Sequence, residues 1–196
     1  MQRRIVAQKL IDKLEEKIRS HLNLKTTLIV GVVLKGLPVA YAIAKKNNVI
    51  ENFVPIVAQR HIYMQHQVES YFPSLDWKTY YAKRLAQSEN LLVLDDVVNS
   101  GFTRQRVEGI IHSLGSSSCI LRFGSLVVNR RNLANPSFVR STDFSALCVN
   151  AKDVECDWGM ITVPLWDQTV EEGRRRCEGY YREFWLQEKR VITLTY

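Results

Sequence analysis

Two adjacent carboxylates, Asp95 and Asp96, follow four apolar residues in "LLVLDDVVNSGFTRQRVEGIIHSLG", Leu91 to Gly115. An apolar run of this kind reads as a strand buried on both faces, and ligands of an open α/β sheet bind beyond the carboxyl ends of its strands. Behind the acids come Asn99, Ser100, Gly101, Phe102 and Thr103, and then a helix predicted from about Thr103 to Leu114. Gly101 lets the backbone turn tightly and approach a ligand, while the helix start offers unpaired N–H groups and a positive dipole end. Ser100 and Thr103 add hydroxyl donors, and the carboxylates can accept hydrogen bonds from sugar hydroxyls. The turn suits a phosphate and the acids a ribose. The alternative is a plain helix cap after an acidic strand end, with both carboxylates solvated.

A second stretch has related chemistry. In "VGVVLKGLPVA", residues 30–40, Leu34, Lys35 and Gly36 follow a buried strand and precede a helix. Gly36 permits close backbone approach, Lys35 supplies a cation, and amides at the helix start can face diphosphate oxygens. Taken alone, this is also what an ordinary strand-to-helix turn with an exposed lysine looks like.

The elements that must position these residues alternate along the chain. Residues 4–21 place Val6, Leu10, Leu14 and Ile18 at a spacing of four, with Ile11 beside them, which predicts an amphipathic helix. "TLIVGVVL" predicts a buried strand, "GLPVAYAIAKK" a helix with Pro38 in its first turn, and "FVPIVA" a strand that Pro55 assigns to an edge. Residues 59–90 form a long polar and aromatic excursion with a short helix near Trp77 to Leu85; long ordered excursions often serve as lids. "CILRFGSLVV", segments near 144–149 and 160–164, and "RVITLTY" read as further strands, and residues 169–188 as a helix. Strand and helix alternating in this way predict an α/β domain, a mostly parallel sheet flanked by helices on both faces.

Composition narrows the classes. The 196 residues suit a single domain, 1–196, and 46% hydrophobic with 24% charged residues is ordinary for a globular protein. No apolar run approaches the roughly 18 residues of a membrane span, and "MQRRIVAQKLIDKLEEKIRSHL" is too charged for the core of a signal peptide, so a cytoplasmic protein with no membrane partner is expected. Cys119, Cys148, Cys156 and Cys177 are widely spaced, which argues against a zinc site or a disulfide framework. His61 and His66, five apart with no glutamate between them, lack the helical metalloprotease pattern. The formal charge of +7 is the sole argument for a nucleic-acid partner, and the basic residues are scattered apart from Arg130-Arg131 and Arg174-Arg175-Arg176.

"LVLDDVVNSGFT" resembles the phosphoribosyl diphosphate (PRPP) motif of the type I phosphoribosyltransferases: apolar residues, two acids, two apolar residues, then a small polar stretch ending Gly-x-Thr. The Leu34-Lys35-Gly36 loop is similar to the pyrophosphate loop of the purine branch, the hypoxanthine and xanthine–guanine enzymes. The two loops come in the family's order, about sixty residues apart, and the resemblance covers roughly residues 25–170. It implies a type I phosphoribosyltransferase fold with a core at about 25–130 and a small hood at about 140–170 plus the N-terminal helix. It also implies an enzyme of nucleotide salvage, a pentosyltransferase that moves the 5-phosphoribosyl group of PRPP to a nitrogenous base, a purine in preference to a pyrimidine, releasing diphosphate with Mg²⁺ as cofactor. On the same resemblance Lys35, Asp95 and Asp96 are catalytic. Lys35, Gly36, Asp95, Asp96, Asn99, Ser100, Gly101, Phe102 and Thr103 bind PRPP. Asp95, Asp96 and Asp167 face the metal, and the protein forms a homodimer. In the hood, "VPLWD" is similar to the family's base-covering segment, so Trp166 would stack on the base, with Trp158 as rival, and Lys152 resembles the lysine that meets the exocyclic oxygen of six-oxopurines. The excursion at 59–90 corresponds to a loop that closes over PRPP, with Arg60, Lys78, Lys83, Arg84, Tyr80 and Tyr81 on hand.

One residue departs from the pattern. Six-oxopurine enzymes of this family commonly carry an aspartate three positions after the second acid, placed as a base near N7 of the purine, and here that position is Asn99. An amide cannot take a proton at neutral pH, although it can still hydrogen-bond a base or a phosphate. The substitution keeps open a second reading, a non-catalytic PRPP- or nucleotide-binding regulatory protein on the same fold.

Overall fold

Continuous apolar runs build the centre of the molecule. The computed structural model describes residues 1–32, 35–56, 58, 75–114, 119–132, 142–156 and 190–196, with backbone alone for 75–80 and 132. Strands β1 (Gln2–Val6), β2 (Leu28–Val32), β3 (Phe53–Ile56), β4 (Asn90–Val98), β5 (Ile120–Asn129), β6 (Phe144–Val149), β7 (Asp153–Cys156) and β8 (Val191–Thr195) alternate with α1 (Ala7–Arg19), α2 (Gly36–Lys46), α3 (Leu75–Gln87) and α4 (Phe102–Ser113). Five strands form one sheet in the order β3-β2-β4-β5-β6, every pair parallel. The expected parallel α/β architecture is therefore present.

Side chains alternate across a strand, so an apolar run feeds two cores at once. From β2 and β4, Ile29, Leu92 and Leu94 join the cluster under α1 and α2, which includes Leu10, Ile11, Leu14 and Ile18. Leu28, Val30, Val32, Leu91 and Val93 turn to the opposite cluster, under Leu85 of α3 and Val107 and Ile111 of α4. Both faces of the sheet are thus covered, which explains why neither strand shows a polar alternation. At the sheet's first edge lies β3, where Pro55 can lack a donor without breaking an inner ladder. Across α1 and α2, the buried Glu15 lies 3.2 Å from the Lys46 ammonium, which also meets Asp12 at 3.0 Å.

Three expectations need correction. Residues 4–6 do not start the first helix: they belong to β1, which pairs antiparallel with β8, and Val6 is exposed because it faces Val191 in a ladder instead of a helix seam. Strand β7 has no counterpart among the predicted elements; with β1 and β8 it forms a separate three-stranded antiparallel sheet in the order β1-β8-β7. Residues 144–149, grouped with the hood in the sequence, form the last strand of the parallel sheet, and α1 packs on that strand and its neighbour. The expected helix near Trp77 to Leu85 is longer, running Leu75–Gln87. The segments 160–164 and 169–188 lie outside the described residues. Among the described residues no helix is long and apolar enough to cross a membrane.

A buried carboxamide ties the two sheets together. Asn129, at the end of β5, donates from Nδ2 to the Ala151 carbonyl at 3.1 Å and accepts from the Ala151 amide at 3.2 Å. Ala151 leads into Lys152, whose amide donates to the Thr195 carbonyl of β8 at 2.6 Å. This pairing satisfies backbone groups that would otherwise be buried without partners.

Candidate functional site

Strand β4 carries its two acids within the ladder. It continues through Asp95 and Asp96 to Val98, and Asp95 stands in register with Ser125 of β5. Each carboxylate folds back on the chain: Asp95 Oδ1 accepts the Asp96 amide at 2.9 Å, and Asp96 Oδ1 accepts the Val97 amide at 2.8 Å. The Asp96 carboxylate also meets the side chains of Asp95 and Cys156.

Asp95 is partly buried and lines a cavity of about 190 Å³ with Asn99, Gly101, Thr103, Arg104 and Phe123. Its pKa lies well above the ordinary carboxylate value because burial disfavours the charge and the neighbouring Asp96 repels it, with Lys35 pulling the other way. Asp96 is buried and faces Cys156 of β7; burial and the Asp96 charge push that thiol far above its ordinary range. Cys156 is accordingly a protonated, unreactive thiol that lines the acid from the antiparallel sheet.

After β4 the backbone reverses at Gly101, whose φ of 82° and ψ of −3° lie in the left-handed region, where a side chain would be strained. It is also the residue that caps α4. Gly101→Ala is expected to cost about 1–2 kcal/mol of stability through the strain of a non-glycine residue held there, and thermal unfolding of the variant would show it. A wild-type melting temperature would mean that the turn relaxes freely.

Lys35 is exposed and caps α2 with an αR backbone. Gly36 behind it is buried, and its constraint comes from inside the protein: a Cβ added there would overlap the Leu94 carbonyl oxygen and lie 2.9 Å from Asp95 Cα. The sequence suggested a close approach of backbone to ligand; the close approach found is of α2 to β4. The start of α2 therefore rests on the backbone of β4 at Leu94 and Asp95.

The other expected site residues fall in several places. Asn99, Ser100, Gly101 and Thr103 all line the cavity, whereas Phe102 is exposed. Lys152 is exposed in the connection between β6 and β7 and is not among the residues lining the cavity. Trp158, Trp166 and Asp167 lie outside the described residues. Of the cations and donors expected in the closing loop, Arg84 donates to the Glu51 carbonyl at 2.7 Å and Tyr81 packs against the core, so both serve the scaffold. Lys83 is exposed, and the side chains of Arg60, Lys78 and Tyr80 lie outside the described residues.

Sequence reasoning passed over Arg104, Phe123, Asn129 and Cys156. Arg104 directly follows Gly-x-Thr, and a cation at that place was a legible signal. The others are brought to the site by β5 and β7, and no local pattern announces them.

Among the described residues no group of three or more His, Cys, Asp or Glu could hold a metal ion. The acid pair nevertheless suits a divalent cation delivered with an anionic ligand. A carboxyl whose pKa is raised by burial and by its neighbour's charge would be relieved by positive charge.

The parallel order β3-β2-β4-β5-β6, with a glycine turn behind two acids at the end of the central strand, is the architecture of the type I phosphoribosyltransferases. Solved structures with this fold include a hypoxanthine-guanine phosphoribosyltransferase of Leishmania tarentolae in complex with GMP, 11% identical over 100% of this chain and 98% of that one, at a TM-score of 0.55. A Trypanosoma cruzi hypoxanthine phosphoribosyltransferase variant complexed with IMP is 11% identical over 98% of this chain and 88% of that one, at a TM-score of 0.51. A hypoxanthine-guanine enzyme of Bacillus anthracis is 12% identical over 85% of this chain and 93% of that one, at a TM-score of 0.50. No family model matches the sequence, and no curated protein matches it.

Proposed function

We propose that the protein transfers the 5-phosphoribosyl group of PRPP to a nitrogen of a purine base and releases diphosphate. The observation that carries this reading is the packing of Gly36, at the start of α2, on the strand end that bears Asp95 and leads into the glycine turn. In this reading the amides and hydroxyls of the turn from Ser100 to Thr103 hold the 5-phosphate, and the carboxylates of Asp95 and Asp96 take the ribose hydroxyls. Lys35 and the first amides of α2 stabilise the leaving diphosphate. Mg²⁺, when bound with PRPP, neutralises diphosphate oxygens beside Asp95 and Asp96, with Asp167 a further candidate. The fold neighbours complexed with GMP and IMP direct the choice of base toward purines. Lys152 with Trp158 or Trp166 would complete the base site. The cytoplasmic homodimer of the family is part of the same proposal.

Asn99 supports a second reading. An amide in that place can accept a hydrogen bond from a base N–H but cannot remove its proton, which suits a PRPP- or nucleotide-binding regulator. Diphosphate release from PRPP and Mg²⁺ against a panel of purine and pyrimidine bases separates the two. We expect release with one or more purines, falling at least about 100-fold in Asp95→Ala/Asp96→Ala, the scale of losing stabilising groups in a transition state. PRPP binding without release for any base would leave the regulator.

A further inference from the structure

Arg104 stands in the first turn of α4, immediately behind the turn at Gly101, and two neighbours fix it. Its Nε donates to Glu108 Oε1 at 2.9 Å, and its guanidinium lies over the Phe123 ring, 4.2 Å from the centroid. Its side chain is 16% exposed, and Nη1 is buried with no hydrogen-bond partner. The Oδ1 of Asn99, another residue of the same cavity wall, is likewise buried and unpartnered.

A buried N–H without an acceptor is unfavourable, and native structures rarely leave one without a reason. Beside these closed-off atoms the rest of the Arg104 side chain borders the cavity. Arg104 is the one cationic side chain among the described residues lining it, and Ser100, Thr103 and the first-turn amides of α4 add further donors. A group that takes several donors and one positive charge at a helix start is a phosphomonoester dianion. Glu108 holds one edge of the guanidinium and Phe123 its plane, so little freedom remains to be lost when the free edge meets an anion.

We propose that Arg104 is the side-chain cation of the phosphate site, its guanidinium pairing with the 5-phosphate of the phosphoribosyl ligand. The proposal rests on the phosphoribosyl reading above and adds to it a residue outside the turn motif. The charge-assisted bond discriminates between the two ends of PRPP: it serves the 5-phosphate and not the diphosphate, which lies toward Lys35.

Calorimetric titration of ribose 5-phosphate and of inorganic diphosphate into wild type, Arg104→Gln and Arg104→Lys tests this. Ribose 5-phosphate should bind about 10- to 100-fold more weakly to Arg104→Gln, the scale of a lost hydrogen bond to a charged group, and less weakly to Arg104→Lys, while diphosphate stays within about twofold. The wild-type gain in ribose 5-phosphate affinity as pH rises through the second phosphate ionisation near 6 should shrink in Arg104→Gln, a change that a merely structural role would not produce. Unchanged ribose 5-phosphate binding in both variants overturns the proposal and leaves the phosphoribosyl reading intact. Equal weakening of both ligands, or loss of folding in both variants, overturns it in favour of a structural arginine. Wild-type protein that binds neither ribose 5-phosphate nor PRPP overturns the phosphoribosyl reading itself, and the role of Arg104 with it.

Discussion

Asp95→Asn is expected to make the unliganded protein more stable at neutral pH and to lower sharply the proposed turnover of PRPP. Burial and the adjacent Asp96 hold the Asp95 pKa well above its unfolded value, so the folded state keeps a proton that the unfolded state has released. Between the unfolded value, about 3.9, and the raised folded one, stability falls as pH rises, because the folded chain binds more protons than the unfolded chain. Asparagine imitates the protonated acid and keeps an oxygen for the Asp96 amide, so it removes that slope. Urea unfolding from pH 4 to pH 8 should give curves for the two proteins that nearly coincide at the acid end and separate upward, with the variant above. On the proposed function, turnover should fall about 100-fold or more, since an uncharged amide cannot supply the charge assigned there to holding ribose and metal. A variant less stable than wild type at pH 8 would show that the carboxylate is ionised and well compensated there.

Gly36→Ala carries the second large effect. Alanine is the better helix former by roughly 0.8–1.0 kcal/mol, so propensity alone predicts a gain. Packing opposes it: the added methyl overlaps the Leu94 carbonyl and crowds Asp95 Cα at 2.9 Å and Oδ1 at 3.2 Å. Those neighbours are mostly backbone of the central strand, which no rotamer change can move aside, and overpacking of this kind costs about 1–3 kcal/mol. We therefore expect a net loss of about 1–2 kcal/mol in stability. The loss in kcat/KM should exceed about tenfold, because lifting the start of α2 carries Lys35 away from Asp95 and a misplacement of 1 Å can cost more than that. Unchanged stability together with unchanged kcat/KM would show that α2 is free to slide on β4.

The parts of the fold legible in the sequence were those whose causes are local. Leu91 to Leu94 and Leu28 to Val32 read as buried strands because each feeds cores on both faces, and Pro55 named its own edge. Gly101 was legible for the same reason, since no other residue takes its backbone angles as cheaply. What escaped depends on distant partners. Val6 fits the spacing of Leu10, Leu14 and Ile18, yet pairing with Val191 from the other end of the sequence draws it into a strand. Asp153 to Cys156 carries only two buried positions, too few to signal a strand without β8 beside it. In the site, both acids, Lys35 and the turn could be read from their order. Arg104 was passed over although it follows Gly-x-Thr directly, and the Phe123 ring that covers it arrives from β5.

The Asn129 carboxamide joins β5 to Ala151 with the same donor and acceptor pair that a peptide group would use. In mechanical terms it is a cross-tie at the far end of the strand adjoining the acids. Ala151 and Lys152 cannot swing as a free tether: any rotation of the antiparallel sheet must either break this tie or drag the end of β5 along.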